Sequence, residues 1–284
     1  MELKAYAKIN IGLDVLRRRE DGYHEVKMIM QTIGLHDCLT IEKSDTFGIH
    51  ITTDNEELSD GQDNLIYKAA KMLVDEYGIT EGIDITLNKN IPIAAGLAGG
   101  STDAAATFIG INEIFELGLS KEELMERAVK IGADVPYCIL GNTALSEGIG
   151  QILTPISACP DCYVLIAKPP VGVSTKYVYQ NLKLDTVIHP DIDAIVRAIE
   201  NKDLDAVADN LGNVLESVTI PLHPVIDSIK KTMTDNGAIA SLMSGSGPTV
   251  FGLYRNIEDA RKCAELIRNQ QMASDIVVTN IQSV

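Results

Sequence analysis

The segment from residue 7 to residue 15 alternates between apolar residues at the odd-numbered positions and polar or small residues between them. A period of two is typical of a β-strand with one buried face. Asp21-Gly22 follows as a turn signal, and the extended pattern resumes over residues 23–33. The sequence therefore predicts a β-hairpin in this part of the chain. Three more strands are predicted, at residues 37–43, 48–53 and 83–88.

Helical periodicity marks three segments that follow the hairpin. Apolar residues recur every four positions over residues 65–77, and Gly78 supplies the stop signal of that helix. Another helix is predicted to begin after Ser120, because the Ser120 hydroxyl and the Glu123 carboxylate have the spacing of a capping box. Residues 104–115 are rich in small side chains and also follow a helical pattern.

The C-terminal part has the order strand, helices, two strands, helix, strand, which is typical of a ferredoxin-like α+β domain. The proline-containing loop of residues 154–161 precedes it. We therefore predict an α+β protein with two domains, residues 1–155 and residues 156–284. The elements predicted in the second domain are strands at 163–167, 238–243, 249–254 and 276–281 and helices at 192–199, 204–218, 225–234 and 257–269.

Charge and hydropathy exclude two classes of partner. The chain has 24 Lys and Arg against 40 Asp and Glu, a net charge of −16, whereas a nucleic-acid binder needs an electropositive face. Its basic triplet, Arg17-Arg18-Arg19, is followed directly by two acidic residues. No apolar run approaches the ~18 residues of a membrane span, and residues 1–10 lack the apolar middle of a signal peptide. We expect a cytoplasmic protein, and the sequence does not specify an oligomeric state.

Five scattered cysteines do not suggest a disulfide framework. Cys159 and Cys162 have C-x-x-C spacing, but a structural zinc site would normally need a second ligand pair. A redox pair would open a helix, whereas Cys162 leads into a predicted strand. We therefore predict a loop with two thiols that have no role in the chemistry.

Residues 92–103, Pro-Ile-Ala-Ala-Gly-Leu-Ala-Gly-Gly-Ser-Thr-Asp, form the sharpest candidate site. Glycines let backbone N–H groups approach a ligand closely, and Ser101, Thr102 and Asp103 are each suited to starting a helix. A loop of this kind at a helix N-terminus binds anions, usually phosphate. The alternative is a mobile loop with an ordinary helix cap. Walker A, dinucleotide-fingerprint and nucleophile-elbow motifs do not occur in the sequence.

Two further segments carry candidate chemistry. Residues 244–249, Ser-Gly-Ser-Gly-Pro-Thr, lie between two predicted strands and could bring more backbone donors to a charged group. Asp134 follows a helix stop at Gly132 and precedes Pro136, which is expected to hold Val135 out of helical geometry. The position leaves two roles open for Asp134, a cap or a general base.

Five segments of the chain together resemble the GHMP superfamily of small-molecule kinases. They are, in order, Lys8-Ile-Asn10, Gly22-Tyr-His24, the glycine-rich loop through residue 105, residues 132–136 and residues 244–249. The resemblance is narrower to the branch that phosphorylates the 2-hydroxyl of a cytidine diphosphate-linked methylerythritol in non-mevalonate isoprenoid biosynthesis. It implies a two-domain fold, with an N-terminal nucleotide-binding α/β domain and a C-terminal ferredoxin-like substrate domain. ATP and Mg²⁺ are the cofactors that it implies.

The resemblance also implies roles for individual residues. Lys8 and Asp134 match the catalytic pair of the family, while Asn10, Tyr23 and His24 match positions on the side of the cytidine substrate. The implied ATP-binding residues are Asn64 and Leu65 near the adenine and Pro92, Ile93, Ala94, Ala95, Gly96, Leu97, Ala98, Gly99, Gly100, Ser101 and Thr102 in the phosphate loop. The family loop commonly has Gly and Ser where this chain has Ala98 and Thr102. Alanine loses backbone freedom only where positive φ is required, and threonine keeps a hydroxyl, so we expect ATP binding to persist.

Residue chemistry agrees with these assignments. Lys8 and Asn10 lie on one face of a predicted strand, about 7 Å apart by strand rise, so both can reach one pocket. Tyr23 offers an aromatic face to a pyrimidine, and Tyr177 is a second stacking candidate. The remaining histidines are predicted to be structural or solvated, namely His36, His50, His189 and His223.

Two alternatives stay open at this point. One is another kinase of the superfamily, acting on homoserine or mevalonate, and the other is a nucleotide-binding module without turnover. Gly22-Tyr-His24 favours the cytidine-linked acceptor, and the presence of both Lys8 and Asp134 favours turnover.

Overall fold

The computed structural model describes residues 1–58 and 61–284, which divide into two compact units. Both units are assembled from separate stretches of the chain, because the long strands β1 (Glu2–Arg18) and β2 (His24–Ser44) contribute to each of them. The domain boundary predicted between residues 155 and 156 lies within the segment Gly141–Val284, which belongs to a single unit. Unit 1 contains Met1–Ala7, Leu35–Ile93 and Ala98–Leu140, and unit 2 contains Lys8–Gly34, Ala94–Leu97 and Gly141–Val284.

Unit 1 combines strands with helices that share one apolar core. Strand β4 (Gly82–Asn88) pairs antiparallel with residues 38–44 of β2 and parallel with β3 (Ile49–Thr53). Ile83, Ile85 and Leu87 of β4 are fully buried and alternate with polar residues, as a strand with one core face requires. The elements of unit 1 that follow β2 are β3 (Ile49–Thr53), α1 (Leu65–Tyr77), β4 (Gly82–Asn88), α2 (Gly99–Ile114), α3 (Lys121–Ala128) and α4 (Val135–Leu140).

The helix-boundary signals in unit 1 act as predicted in two places. Helix α1 has the predicted bounds, and Gly78 ends it in the left-handed conformation with φ of 62°. Ser120 and Glu123 form both hydrogen bonds of the capping box at the start of α3. Helix α2 is buried over residues 102–108 on every face, so it lies inside the core of the unit.

Unit 2 contains a four-stranded antiparallel sheet with the order β11 (Asp275–Asn280), β7 (Tyr163–Lys168), β10 (Val250–Tyr254) and β9 (Ala240–Met243). Helices α9 (Val225–Asp235) and α10 (Ile257–Asn269) pack against this sheet, which confirms the predicted ferredoxin-like arrangement. A 3₁₀ turn at Leu184–Thr186 follows α5 (Thr175–Asn181). The elements are β5 (Thr143–Gly148), β6 (Ile152–Pro155), β7 (Tyr163–Lys168), α5 (Thr175–Asn181), α6 (Ile192–Glu200), α7 (Leu204–Asp209), β8 (Gly212–Asn213), α8 (Glu216–Leu222), α9 (Val225–Asp235), β9 (Ala240–Met243), β10 (Val250–Tyr254), α10 (Ile257–Asn269) and β11 (Asp275–Asn280).

The predicted boundaries were wrong in two places. The strands expected at residues 23–33 and 37–43 are one continuous strand, β2, because its residues 26–31 pair with β5 and its residues 38–44 pair with β4. The helix expected over 204–218 is interrupted by β8, which pairs in parallel with Gly12 and Leu13 of β1. In both places long-range strand pairing overrides the local pattern. Within the described residues, no helix is both long and apolar enough to cross a membrane.

Candidate active site

The glycine-rich loop has a backbone suited to binding an anion. Ala94, Gly96 and Ala98 have positive φ angles of 51°, 73° and 59°, so left-handed residues recur at every second position. Recurrent left-handed residues are a feature of nests, loop segments whose successive N–H groups face one side and bind anions. The loop runs directly into α2, whose first-turn N–H groups have no intrahelical partners.

The start of α2 differs from the prediction that Ser101, Thr102 or Asp103 would begin the helix. The N-cap is Ala98, which has no side-chain oxygen, and its carbonyl accepts the first helical hydrogen bond from Thr102 N at 2.9 Å. Ala98 therefore keeps a left-handed φ at a cost of roughly 1–2 kcal/mol relative to glycine. An ordinary side-chain cap, the alternative reading of this loop, is not what the structure contains.

Lys8 and Asn10 lie together in unit 2, as the alternation of β1 predicted. Lys8 is 4% exposed, and its Nζ donates to Asn10 Oδ1 at 2.7 Å and to the carbonyl oxygen of Gly96 at 3.2 Å. The backbone N–H of Lys8 donates to Leu97 O at 3.1 Å. The lysine ammonium is thus held against loop residues 94–97 by the strand itself.

The turn of residues 244–249 is also bonded to this loop segment. Ser244 Oγ donates to the same Gly96 carbonyl oxygen at 3.0 Å. Asn213 Nδ2 donates to Met243 O and Gly245 O, both at 2.8 Å, and Thr219 Oγ1 donates to Ser246 O at 3.1 Å. Sequence reasoning missed Asn213 and Thr219, because residues more than 20 positions from the turn carry no local signal for it.

The candidate residues for a base-bearing substrate differ in exposure. Tyr23 is 61% exposed and Tyr177 is 47% exposed, so both side chains are accessible. His24 is half-buried, and its ring centroid lies 5.2 Å from that of Tyr179 on α5, a residue that the sequence did not single out. Burial, together with the positive charge of Arg18, lowers the pKa of His24. The imidazole is therefore neutral at pH 7 and offers one donor and one acceptor.

Asp134 and the Asn64-Leu65 segment belong to unit 1. Asp134 is half-buried and directly precedes α4, where its carbonyl accepts a hydrogen bond from Cys138 N at 3.1 Å. Val135 is the first helical residue, so the expectation that Pro136 would exclude it from the helix was wrong. Proline is tolerated in a first helical turn because its missing N–H would have no partner there.

The Asn64 side chain caps α1 by accepting from Ile66 N at 2.9 Å. Leu65 Cδ1 lies 3.6 Å from the position that a Cβ would occupy on Gly100. The segment that the family resemblance places near the adenine is therefore next to the first turn of α2.

The other sequence candidates fall outside this chemistry. Cys159 and Cys162 are buried, and burial raises the pKa of both thiols, that of Cys162 to about 12. Thiols with raised pKa values are protonated at neutral pH. His189, predicted to be structural or solvated, is bonded through Nδ1 to Asp14 Oδ1 at 2.7 Å. Among residues 1–58 and 61–284 no three His, Cys, Asp or Glu side chains form a potential metal cluster.

A loop with recurrent positive φ angles that leads into a helix, with a buried ammonium on one of its carbonyls, has the features of a phosphate-binding site, here on a fold with a ferredoxin-like unit. Comparison with known families agrees. The GHMP kinases N terminal domain matches residues 64–142, and the GHMP kinases C terminal domain matches residues 195–271.

A protein of Lachnospira eligens named 4-diphosphocytidyl-2-C-methyl-D-erythritol kinase is 51% identical over 280 residues, 98% of this chain and 97% of its own. A protein of the same name from Lachnoclostridium phytofermentans is 54% identical over 263 residues, 92% of this chain and 90% of its own. The crystal structure of a 4-(cytidine 5'-diphospho)-2C-methyl-D-erythritol kinase is 32% identical, with a TM-score of 0.86 over 100% of both chains. The chain belongs to the GHMP kinase family. A homoserine kinase from Cytophaga hutchinsonii, 22% identical with a TM-score of 0.78 over 99% of this chain and 94% of its own, shares the fold.

Proposed function

We propose that the protein transfers the γ-phosphate of ATP to the 2-hydroxyl of 4-diphosphocytidyl-2-C-methyl-D-erythritol, a step of non-mevalonate isoprenoid biosynthesis. Membership of the GHMP kinases makes it a small-molecule kinase. The choice of acceptor is supported by relatives 46–54% identical over at least 90% of the chain, whose names contain this compound.

The observation that best supports phosphoryl transfer is the hydrogen bond from the Lys8 ammonium to the carbonyl oxygen of Gly96, a positive-φ residue of the glycine-rich loop. Phosphoryl transfer depends mainly on positioning the reactants and neutralising charge on the moving group. The loop N–H groups and Lys8 supply both effects at short range. Local donors of this kind explain how a chain with a net charge of −16 can attract two anionic substrates.

We assign Asp134 as the general base that orients the acceptor hydroxyl and takes its proton. Its half-buried carboxylate precedes α4, and a carboxylate has the required acceptor oxygens. Mg²⁺ would accompany ATP, since Mg²⁺ prefers oxygen ligands and takes many of them from substrate phosphates. The hydroxyl and carboxylate side chains of the site offer the same type of ligand.

Asn10, Tyr23, His24 and Tyr177 are the proposed contacts of the cytidine-bearing acceptor. Stacking on an exposed tyrosine and hydrogen bonds from a neutral imidazole suit a pyrimidine base. The proposed ATP contacts are Asn64, Leu65 and residues 92–102. In this proposal the ATP contacts lie within residues 1–155, the acceptor contacts are Asn10, Tyr23 and His24 of that segment and Tyr177 of residues 156–284, and the enzyme works in the cytoplasm.

Release of ADP tests the function directly. The purified protein is incubated with MgATP and, in parallel, 4-diphosphocytidyl-2-C-methyl-D-erythritol, homoserine, mevalonate or no acceptor. We expect rapid ADP release with the cytidine compound alone, and phosphorus NMR should locate the new phosphate on its 2-hydroxyl. Preference for homoserine or mevalonate would identify a different kinase, and ATP binding without ADP release would identify a binding module.

Asp134→Asn tests the catalytic assignment. The change removes the proton acceptor at nearly constant volume, so kcat should fall by at least ~10²-fold while substrate binding stays near normal. Asp203→Asn is the matched control, because Asp203 caps α7 by accepting from Ala206 N at 3.0 Å and has no proposed catalytic role. It should retain wild-type turnover. A folded Asp134→Asn variant that keeps more than about a tenth of wild-type kcat would show that Asp134 is not the base.

A further inference from the structure

Three charged side chains form a buried cluster in unit 1. Lys89 Nζ lies 2.5 Å from Asp37 Oδ2 and 2.7 Å from Asp103 Oδ2, and all three side chains are at most 3% exposed. Breaking a buried ion pair is costly, whereas apolar residues of similar size can fill such a site equally well. The cluster is therefore not explained by fold stability alone.

The cluster is bonded to both ends of the glycine-rich loop. On the entering side, Asp37 Oδ1 accepts hydrogen bonds from Asn90 N at 2.6 Å and Ile91 N at 2.7 Å. On the leaving side, Asp103 belongs to the second turn of α2. Lys89 joins these two carboxylates, so residues 90–91 and α2 are connected through one ammonium group.

The first residue of α2 is packed against the same ammonium. A Cβ added to Gly99 would lie 3.0 Å from Lys89 Nζ and 3.1 Å from Ile91 Cγ2. Gly99 therefore permits the helix start to approach the cluster. These contacts join residues on either side of loop residues 92–98, so they restrict how far the two ends of the loop can separate.

We infer that Asp37, Lys89 and Asp103 are positioning residues that hold the loop of residues 92–98 in its phosphate-binding conformation. The inference rests on the proposed function, since it assumes that this loop binds the phosphates of ATP. Burial and the nearby charge of Asp37 raise the pKa of Asp103 to about 8.

The test compares two variants of Asp103 by calorimetric titration with MgATP in the absence of acceptor. Asp103→Asn keeps an oxygen that can accept from Lys89, so the dissociation constant should rise less than about threefold. Asp103→Leu has similar bulk and no acceptor, so the connection to α2 is lost and the constant should rise about tenfold or more. Hydrogen exchange at residues 90–103 should quicken in the leucine variant relative to the asparagine variant.

Two controls separate positioning from a general loss of structure. Arg127→Met breaks the Arg127–Glu76 ion pair of the same unit, in which Arg127 Nε and Glu76 Oε2 are 3.0 Å apart, and should leave MgATP binding unchanged. Cytidine diphosphate, titrated as a probe of the acceptor side, should bind all folded variants alike. Asp103→Ala replaces the leucine variant if the latter does not fold.

The inference is overturned by equal MgATP affinity in the leucine and asparagine variants, by equal losses for MgATP and cytidine diphosphate, or by failure of both Asp103→Leu and Asp103→Ala to fold. Because binding is measured without turnover, a wild-type protein that does not phosphorylate the proposed acceptor still tests the cluster. Conversely, unchanged binding with normal wild-type turnover would reject the cluster and leave the proposed function intact.

Discussion

Gly96 is the loop residue at which one added methyl group should do most harm. Its φ is +73°, and a Cβ there would lie 2.4 Å from Ser244 O and 3.3 Å from Gly247 O. Both neighbours are backbone carbonyls, which cannot rotate away as a flexible side chain would. The Gly96 carbonyl also accepts from Lys8 and Ser244, so movement of this residue displaces the ammonium.

The expected cost of Gly96→Ala has two parts. A left-handed conformation costs a residue with a Cβ roughly 1–2 kcal/mol, and overpacking typically costs about 1–3 kcal/mol more. The free energy of unfolding should therefore fall by about 2–5 kcal/mol. At about 2–4 °C per kcal/mol for a chain of this size class, Tm should fall by roughly 4–20 °C. kcat should fall as well, because Lys8 loses its fixed acceptor.

Gly118→Ala is the matched control for the Gly96 variant. Gly118 has a similar φ of +69°, but nothing lies within 4 Å of the position of its Cβ. Only the conformational cost of about 1–2 kcal/mol applies there, and turnover should be unaffected. Thermal unfolding of both variants, with steady-state turnover, measures the difference. Equal decreases in Tm would refute the steric argument, and normal turnover by Gly96→Ala would refute the link to Lys8.

Three further predictions concern Tyr23, Gly100 and His189. Tyr23→Ala should raise the acceptor KM about tenfold and leave the KM for ATP unchanged, since stacking on a base is worth about 1–3 kcal/mol; a parallel rise in both constants would indicate a structural role. Gly100→Val should fold, because its Cβ would meet Leu65 Cδ1 at 3.6 Å, and should weaken ATP binding strongly while cytidine nucleotides still bind; calorimetry that finds unchanged ATP affinity removes Gly100 from the site. The hydrogen bond to Asp14 raises the pKa of His189 above its usual 6.5. The protonated imidazole therefore stabilises the fold fully below pH 6.5, and this contribution is lost as pH rises through the folded-state pKa. The Tm of His189→Gln should therefore lie below that of the wild type in acid and converge with it at higher pH, whereas parallel Tm curves would contradict the assignment.

Local signals in the sequence were sufficient to place several elements correctly. The bounds of α1 and α10 agree with those predicted, because apolar periodicity and an asparagine N-cap act within a few positions of one another, and Gly78 ends α1. The hairpin turn at Asp21-Gly22 forms as predicted, with φ of 86° at Gly22. The alternation of β1 likewise placed Lys8 and Asn10 on one face.

At the glycine-rich loop, local sequence signals predicted the type of site but not the start of the helix. The loop's glycines and small residues predicted an anion site, but Ser101, Thr102 and Asp103 are good cap residues by type and none of them caps α2. The helix begins earlier, at a left-handed Ala98. The side chains of Thr102 and Asp103 are buried within unit 1, and this packing overrides their preference for the helix start.

Tertiary structure alone decided which distant residues support the site. Asp37 and Lys89 are 52 positions apart, Lys8 and Gly96 are 88 apart, and Ser244 and Gly96 are 148 apart. The sequence by itself determined the segments, their local geometry and the chemical groups that they carry, because those depend on neighbouring residues. The partners of a buried charge depend on which strands and helices pack together, since a buried polar group must be satisfied by whatever the fold brings within hydrogen-bond distance.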